Sequence, residues 1–138
     1  MSEAASQVLA DAPLDYEAWW PAALFHSVQP GFPDALDITG PARFLSFGPY
    51  VRLAPGLWRA EVELEVCADA AKYDYLIEFG LEGDFSQIIA RAPGAGLHVA
   101  ALTHRLAAPA PVEVRVSLGR AAFHGAFRLI GARLAPAP

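Results

Sequence analysis

The side chains in this sequence whose types suit a recognition chemistry are the aromatics Trp19, Trp20, Tyr50 and Tyr73 and the polar residues Arg52, Asp74, Arg91 and His98. An aromatic ring gives a flat plate to the apolar face of a pyranose. Guanidinium, carboxylate and imidazole groups have the planar donor and acceptor geometry that meets neighbouring hydroxyls. Tyr73-Asp74-Tyr75 follows the loop Ala68-Asp69-Ala70-Ala71-Lys72, which sets Tyr73 and Asp74 at a sheet edge and turns Tyr75 inward. Trp19 and Trp20 are adjacent, so in an extended chain only one of them faces a core. The chain contains no Asn, the amide that many sugar sites use.

Other constellations point to no reaction. His98 and His104 lie six residues apart on one potential strand face, without a His-x-His pair or a third close ligand. A metal-dependent enzyme built on these two histidines and a nearby carboxylate is the weakest of three readings. Glu61, Glu63 and Glu65 line one strand face, and Asp74, Glu78 and Glu82 another. A glycosidase needs two carboxylates facing each other ~5–9 Å apart across a sugar, whereas these read as solvated sheet faces. Cys67, Ser46, Ser86 and Ser117 are the candidate nucleophiles, none of them in a Gly-x-Ser-x-Gly elbow. Cys67 reads as a small apolar filler closing a strand. No glycine-rich phosphate loop precedes a helix. Asp34 and Asp37, near the first strand, are the carboxylates available to a structural calcium ion. No catalytic residue, metal ligand or cofactor is assigned.

Strands must position these groups. From Trp58 the chain alternates without a fault: Trp58, Ala60, Val62, Leu64 and Val66 against Arg59, Glu61, Glu63 and Glu65. A period of two puts one set in a core and the other in water. Ala54-Pro55-Gly56 before it is a turn. Further strands are expected at 36–39, 43–53 (broken at Gly48-Pro49), 57–67, 74–82, 85–91, 96–106, 111–118 and 122–134. Glu82-Gly83-Asp84 turns a hairpin, and Phe123, Phe127 and Leu129 lead into the last strand. Short strands with frequent turns and no long helix make the chain all-β, an antiparallel β-sandwich over 34–138. Residues 1–33 form an N-terminal lead-in, disordered in part or packed across the sandwich, with one helical turn after Pro21.

The 138 residues make one domain, large enough to bury roughly two thirds of its chain surface. With 54% hydrophobic and 18% charged residues the chain is not disordered. The net charge of −5, from nine Arg and a single Lys against fifteen acids, leaves no basic stripe for nucleic acid or anionic lipid. No apolar run is long enough to span a membrane and no signal peptide is visible, so a cytoplasmic location is expected. A mean hydropathy of +0.29 fits either an alanine-rich chain or an apolar surface covered by a partner.

The run Phe47-Gly48-Pro49-Tyr50-Val51-Arg52-Leu53-Ala54-Pro55-Gly56-Leu57-Trp58 resembles the Gly-Pro-Tyr and Leu-x-Pro-Gly-x-aromatic signature of jelly-roll sandwiches of the galactose-binding-like and carbohydrate-binding-module kind. Bacterial domains of this kind sit beside glycosyltransferases. The closing Phe127-Arg128-Leu129-Ile130-Gly131-Ala132-Arg133-Leu134 looks like the last strand of such modules. The resemblance covers residues 40–134 and concerns the fold, since its Pro-Gly and aromatic positions make a turn and a core anchor. It implies a non-catalytic module that binds a carbohydrate or sugar-containing intermediate. The alternative is a protein-interaction or homodimerising module using the apolar Trp19, Trp20, Leu24 and Phe25.

Overall fold

The computed structural model describes residues 12–138. In chain order its strands are β1 (Ala18–Pro21), β2 (Leu36–Asp37), β3 (Arg43–Ser46), β4 (Pro49–Leu53), β5 (Gly56–Val66), β6 (Tyr75–Leu81), β7 (Asp84–Ala90), β8 (Gly96–Leu106), β9 (Ala110–Leu118) and β10 (Ala126–Pro136). They form two five-stranded antiparallel sheets. In sheet one β10 and β8 flank β5, and β1 and β2 share the far edge of β10. In sheet two β9 and β7 flank β6, and β3 and β4 share the far edge of β9. Among the described residues no helix is long and apolar enough to cross a membrane.

Alternation decides which rows meet. Trp58, Ala60, Val62, Leu64 and Val66 of β5 are buried, as are Val112, Val114, Val116 and Leu118 of β9. Burying each such Val or Leu contributes about 1.5–3 kcal/mol, so inverting the register of either strand is prohibitive. The core between the sheets is sealed by Tyr75 of β6 stacked on Phe127 of β10, ring centroids 5.3 Å apart. Trp58 satisfies its indole N–H on the Ala54 carbonyl at 2.9 Å, tying β5 to the turn before it.

The stretch 43–53 breaks at Gly48-Pro49 as expected and becomes two strands, each pairing with its own half of β9. Between them Gly48 has φ +96°, and a Cβ there would sit 2.8 Å from Cδ2 of His26. The last strand begins at Ala126 rather than residue 122, because Ala122 forms an isolated backbone bridge with Gly40 and side chains meet the N–H groups at 123 and 126. The Phe123 N–H donates to the Tyr73 hydroxyl at 3.0 Å and the Ala126 N–H to Cys67 Sγ at 3.1 Å. Phe123, expected to lead into that strand, is 86% exposed in the loop. Cys67 is more than a filler: its sulfur also accepts the Ala70 N–H at 3.4 Å, and these donors hold its thiol below the usual value. Of the lead-in, residues 18–21 are β1, and one 3-10 turn (Ala22–Leu24) follows Pro21. The expected disorder of the first residues falls on 1–11, outside the described residues.

Tyr75 donates its hydroxyl hydrogen to the Ala70 carbonyl at 2.7 Å, and burial pushes its phenol well above the ordinary 10.0. The folded state therefore keeps a proton that the unfolded chain releases above about pH 10, so the contribution is full below that pH and declines as pH rises further. Tyr75→Phe is expected to cost about 0.5–1.5 kcal/mol at neutral pH. In urea melts it should also flatten the loss of stability above about pH 10. An unchanged alkaline slope would show that other groups carry it.

Candidate functional site

The two outward faces of the sandwich differ in kind. On sheet one the outward residues of β5 pair with exposed neighbours: Arg59 with Glu61 at 3.6 Å and Glu65 with Arg128 at 3.2 Å. At its edge Arg133 binds Glu17 at 2.9 Å and lies over the Trp19 ring. Such exposed pairs contribute about 0–1 kcal/mol each and make an ordinary solvated face.

The outward face of sheet two is built otherwise. Three rows cross it, fixed by register: Phe44, Ser117, Leu76 and Ile89; then Arg115, Glu78 and Gln87; then Glu113, Gly80 and Phe85, with Tyr50 beside Glu113 at the edge. Arg115 is the centre. Its guanidinium grips Glu113 through Nε at 3.3 Å and Nη2 at 3.0 Å, and reaches Glu82 at 2.7 Å. The same group lies 4.2 Å from the Phe85 ring centroid and 5.4 Å from that of Phe44. Burial works against the Arg115 charge, and the two carboxylates more than offset it, holding the group above its usual value. Glu113 and Glu78 are buried although they face outward, Glu78 beneath the Gln87 amide that donates to it at 2.8 Å. The expected solvated row of Asp74, Glu78 and Glu82 is therefore broken up, with Glu82 on Arg115 and Asp74 on Arg91.

Two hollows open on this face and meet at Tyr50 and Glu113. One, of about 220 Å³, is lined by Phe44, Phe47, Tyr50, Glu113 and Arg115. The other, of about 250 Å³, is lined by Tyr50, Leu81, Glu82, Pro111 and Glu113. Tyr50 is 47% exposed and has φ +69°, among the described residues the one non-glycine with a positive φ. That conformation costs about 1–3 kcal/mol in a side chain of this kind. The His26 ring backs it, 5.8 Å from both the Tyr50 and Phe47 rings. Burial first, then the neighbouring Glu113 carboxylate, raise the Tyr50 phenol above its usual value, so it stands as a neutral donor.

The eight residues singled out from sequence scatter over the molecule. Tyr50 alone lies in these hollows, with Arg52 exposed farther along β4 opposite Pro111. Trp20 is in the core at 3% exposure and can stack on no ligand, because β1 turns it inward and Trp19 outward. Trp19 lies against Gly131, where a Cβ would meet its ring at 2.7 Å. Phe25 is buried too, so the segment expected to carry self-association keeps only Trp19 and Leu24 of its large apolar side chains at the surface. Tyr73 accepts from Phe123 and lies under Arg120, 5.3 Å from its ring. Asp74 binds Arg91 at 2.6 Å, and Arg91 and His98 line a separate cleft between β7 and β8.

His104 lies on the same inward row of β8 as His98 but bonds to Ser86, 2.8 Å away, while His98 bonds to the Gly94 carbonyl. Asp37 gives its carboxylate to the Thr39 hydroxyl at 2.6 Å and the Thr39 N–H at 3.0 Å, which hold it below its usual value. Among the described residues no three His, Cys, Asp or Glu side chains are grouped to hold a metal ion. Phe44, Phe47, Phe85, Glu113 and Arg115 were missed. The alternation of β9 places Glu113 and Arg115 outward, but only the strand order brings them to the aromatics.

No family model matches the sequence, and no curated protein matches it. Solved structures do. A carbohydrate-binding module from Cellvibrio mixtus lichenase 5A, solved in complex with cellotriose, is similar with a TM-score of 0.55 at 13% identity, over 88% of this chain and 98% of the module. A 4-O-methyl-alpha-glucuronidase with specificity for decorated arabinogalactans is similar with a TM-score of 0.51 at 15% identity, over 92% of this chain and 18% of the enzyme's. At these identities the likeness concerns the fold alone: the chain is an all-β jelly-roll sandwich, as the Phe47–Trp58 run implied.

If Tyr50 is held in its strained conformation for the sake of its ring, Tyr50→Gly relieves the backbone while deleting the plate. Urea denaturation should place this variant within about 1 kcal/mol of the unmodified protein, with Tyr50→Val lower by about 1–3 kcal/mol. Equal losses in both would mean that the Tyr50 ring is chiefly a packing element.

Proposed function

We propose that this domain is a non-catalytic module that binds a neutral oligosaccharide on the outward face of sheet two. The observation that carries the reading is the pair of hollows meeting at Tyr50 over the Glu113–Arg115 bridge. Tyr50 and Phe44 supply exposed aromatic carbon for the apolar faces of the sugars. The lone pairs of Glu113 and Glu82 and the free edges of Arg115 supply acceptors and donors for hydroxyls. Two adjoining hollows suit two consecutive sugar units better than a single one. Charge sets the class: Glu78, Glu82 and Glu113 outnumber Arg115, so a uronate or phosphate group would meet net repulsion there. The similar module holds cellotriose, which makes glucan oligosaccharides the first ligands to try.

Isothermal titration against neutral gluco-, xylo- and galacto-oligosaccharides tests this. Saturable binding is expected for at least one of them, weakened about tenfold or more by Tyr50→Ala, which is about 1.4 kcal/mol of lost binding energy. Glu63→Gln, on the opposite face, should leave it unchanged. A blank panel, or undiminished binding by Tyr50→Ala, would overturn the assignment.

A further inference from the structure

The lateral mouth of the sandwich, where β7 of sheet two faces β8 of sheet one, is closed along half its length and open along the other. Toward the closed half, inward positions carry Ser86 on β7 and Leu102, His104 and Leu106 on β8. Ser86 and His104 join the two strands at 2.8 Å, and Asp84 stands 3.3 Å from Nε2 of the same ring. Toward the open half, the inward positions are Ile88 and Ala90 on β7 and Gly96, His98 and Ala100 on β8. The small residues Ala90, Gly96 and Ala100 leave a cleft of about 340 Å³ that reaches the buried side chains of Leu64, Val66 and Tyr75. That volume lies at the lower end of the ~300–1,000 Å³ usual for small-molecule sites.

Its walls are Ile88, Ala90, Ala92, Pro93 and Ala100, without an accessible aromatic plate, so the chemistry differs from that of the outward face. The polar groups lining it are Arg91 and His98. The His98 Nε2 lies 2.8 Å from the Gly94 carbonyl, which can only accept, so Nε2 carries the proton and Nδ1 of the neutral ring is an acceptor. Arg91 gives its Nε–H to Asp74 and keeps its terminal nitrogens as donors. A single atom that both gives a hydrogen bond to an imidazole nitrogen and takes one from a guanidinium is a hydroxyl oxygen. A carboxylate could not donate to Nδ1 and would stand beside the charge of Asp74.

We propose that this cleft is a second binding site, independent of the glycan face, for a small neutral molecule with an apolar body and one hydroxyl. The body replaces the bulky side chains that a fully closed sandwich would place at positions 90 and 100, and the hydroxyl bridges Arg91 and His98.

The full chain, isotope-labelled and titrated with 1-hexanol, should show saturable amide shifts at Ala90, Ala92, His98 and Ala100. Hexanoate should bind about tenfold more weakly. Ala100→Leu and Ala92→Leu, which fill the cleft from different sides, should each abolish the shifts while keeping the dispersed spectrum of a folded protein. His98→Phe, which keeps the wall and removes the acceptor, should weaken 1-hexanol and leave hexanoate as weak as before. Absence of saturation up to the solubility of 1-hexanol, equal affinity for hexanoate, or undiminished binding by both leucine variants would overturn the site.

Discussion

Tyr75 stacked on Phe127 fixes the distance between the sheets, and most of what the molecule can do follows from that spacing. Tyr75 opens β6 and Phe127 stands at the start of β10, and the two buried rings stack across the gap between the sheets. The inward rows of β5, β6, β9 and β10 are thereby committed to apolar contact, and a polar group placed there would lose its hydration without a partner. Recognition chemistry is left to the two outward faces and to the seam where the sheets do not touch. Each of these has a distinct character: ion-paired on sheet one, aromatic and charged on sheet two, aliphatic at the seam.

The charged centre of sheet two is tied to its stability. Glu113 is 6% exposed, and a carboxylate so placed is tolerable only while Arg115 remains bidentate upon it. Phe85 and Phe44 against the guanidinium restrict the water that would otherwise screen the pair. The outcome is a donor and acceptor array held in one geometry, one that would lose little ordering entropy on meeting a ligand.

Much of this architecture is legible in the sequence because strand alternation is a local signal. The faultless period of β5, the valines of β9 and the Glu82-Gly83 turn each determine their own neighbourhood, and Trp58 falls in the core where the pattern puts it. The site is another matter. Tyr50, Phe44, Arg115, Glu113 and Phe85 come from four strands, and only the order β3/β4-β9-β6-β7 makes them neighbours. Trp19 and Trp20 cannot be told apart by spacing, since either may face inward until β1 takes its register from β10. The alanines at 90 and 100 read as ordinary small residues until the opposite sheet edge shows that nothing fills the space between them.

The edge of sheet two that carries Tyr50 is made of two short strands that lean on one long one. The ladder of β9 with β6 is complete without them, and β3 and β4 meet only at the two-residue corner Phe47-Gly48. A lineage could lengthen, shorten or rewrite that corner, exchanging one aromatic for another, without disturbing the register of the central strands. The fold thus keeps its heritable frame in the middle of each sheet and its freedom to diversify at one replaceable margin, the margin that carries Tyr50.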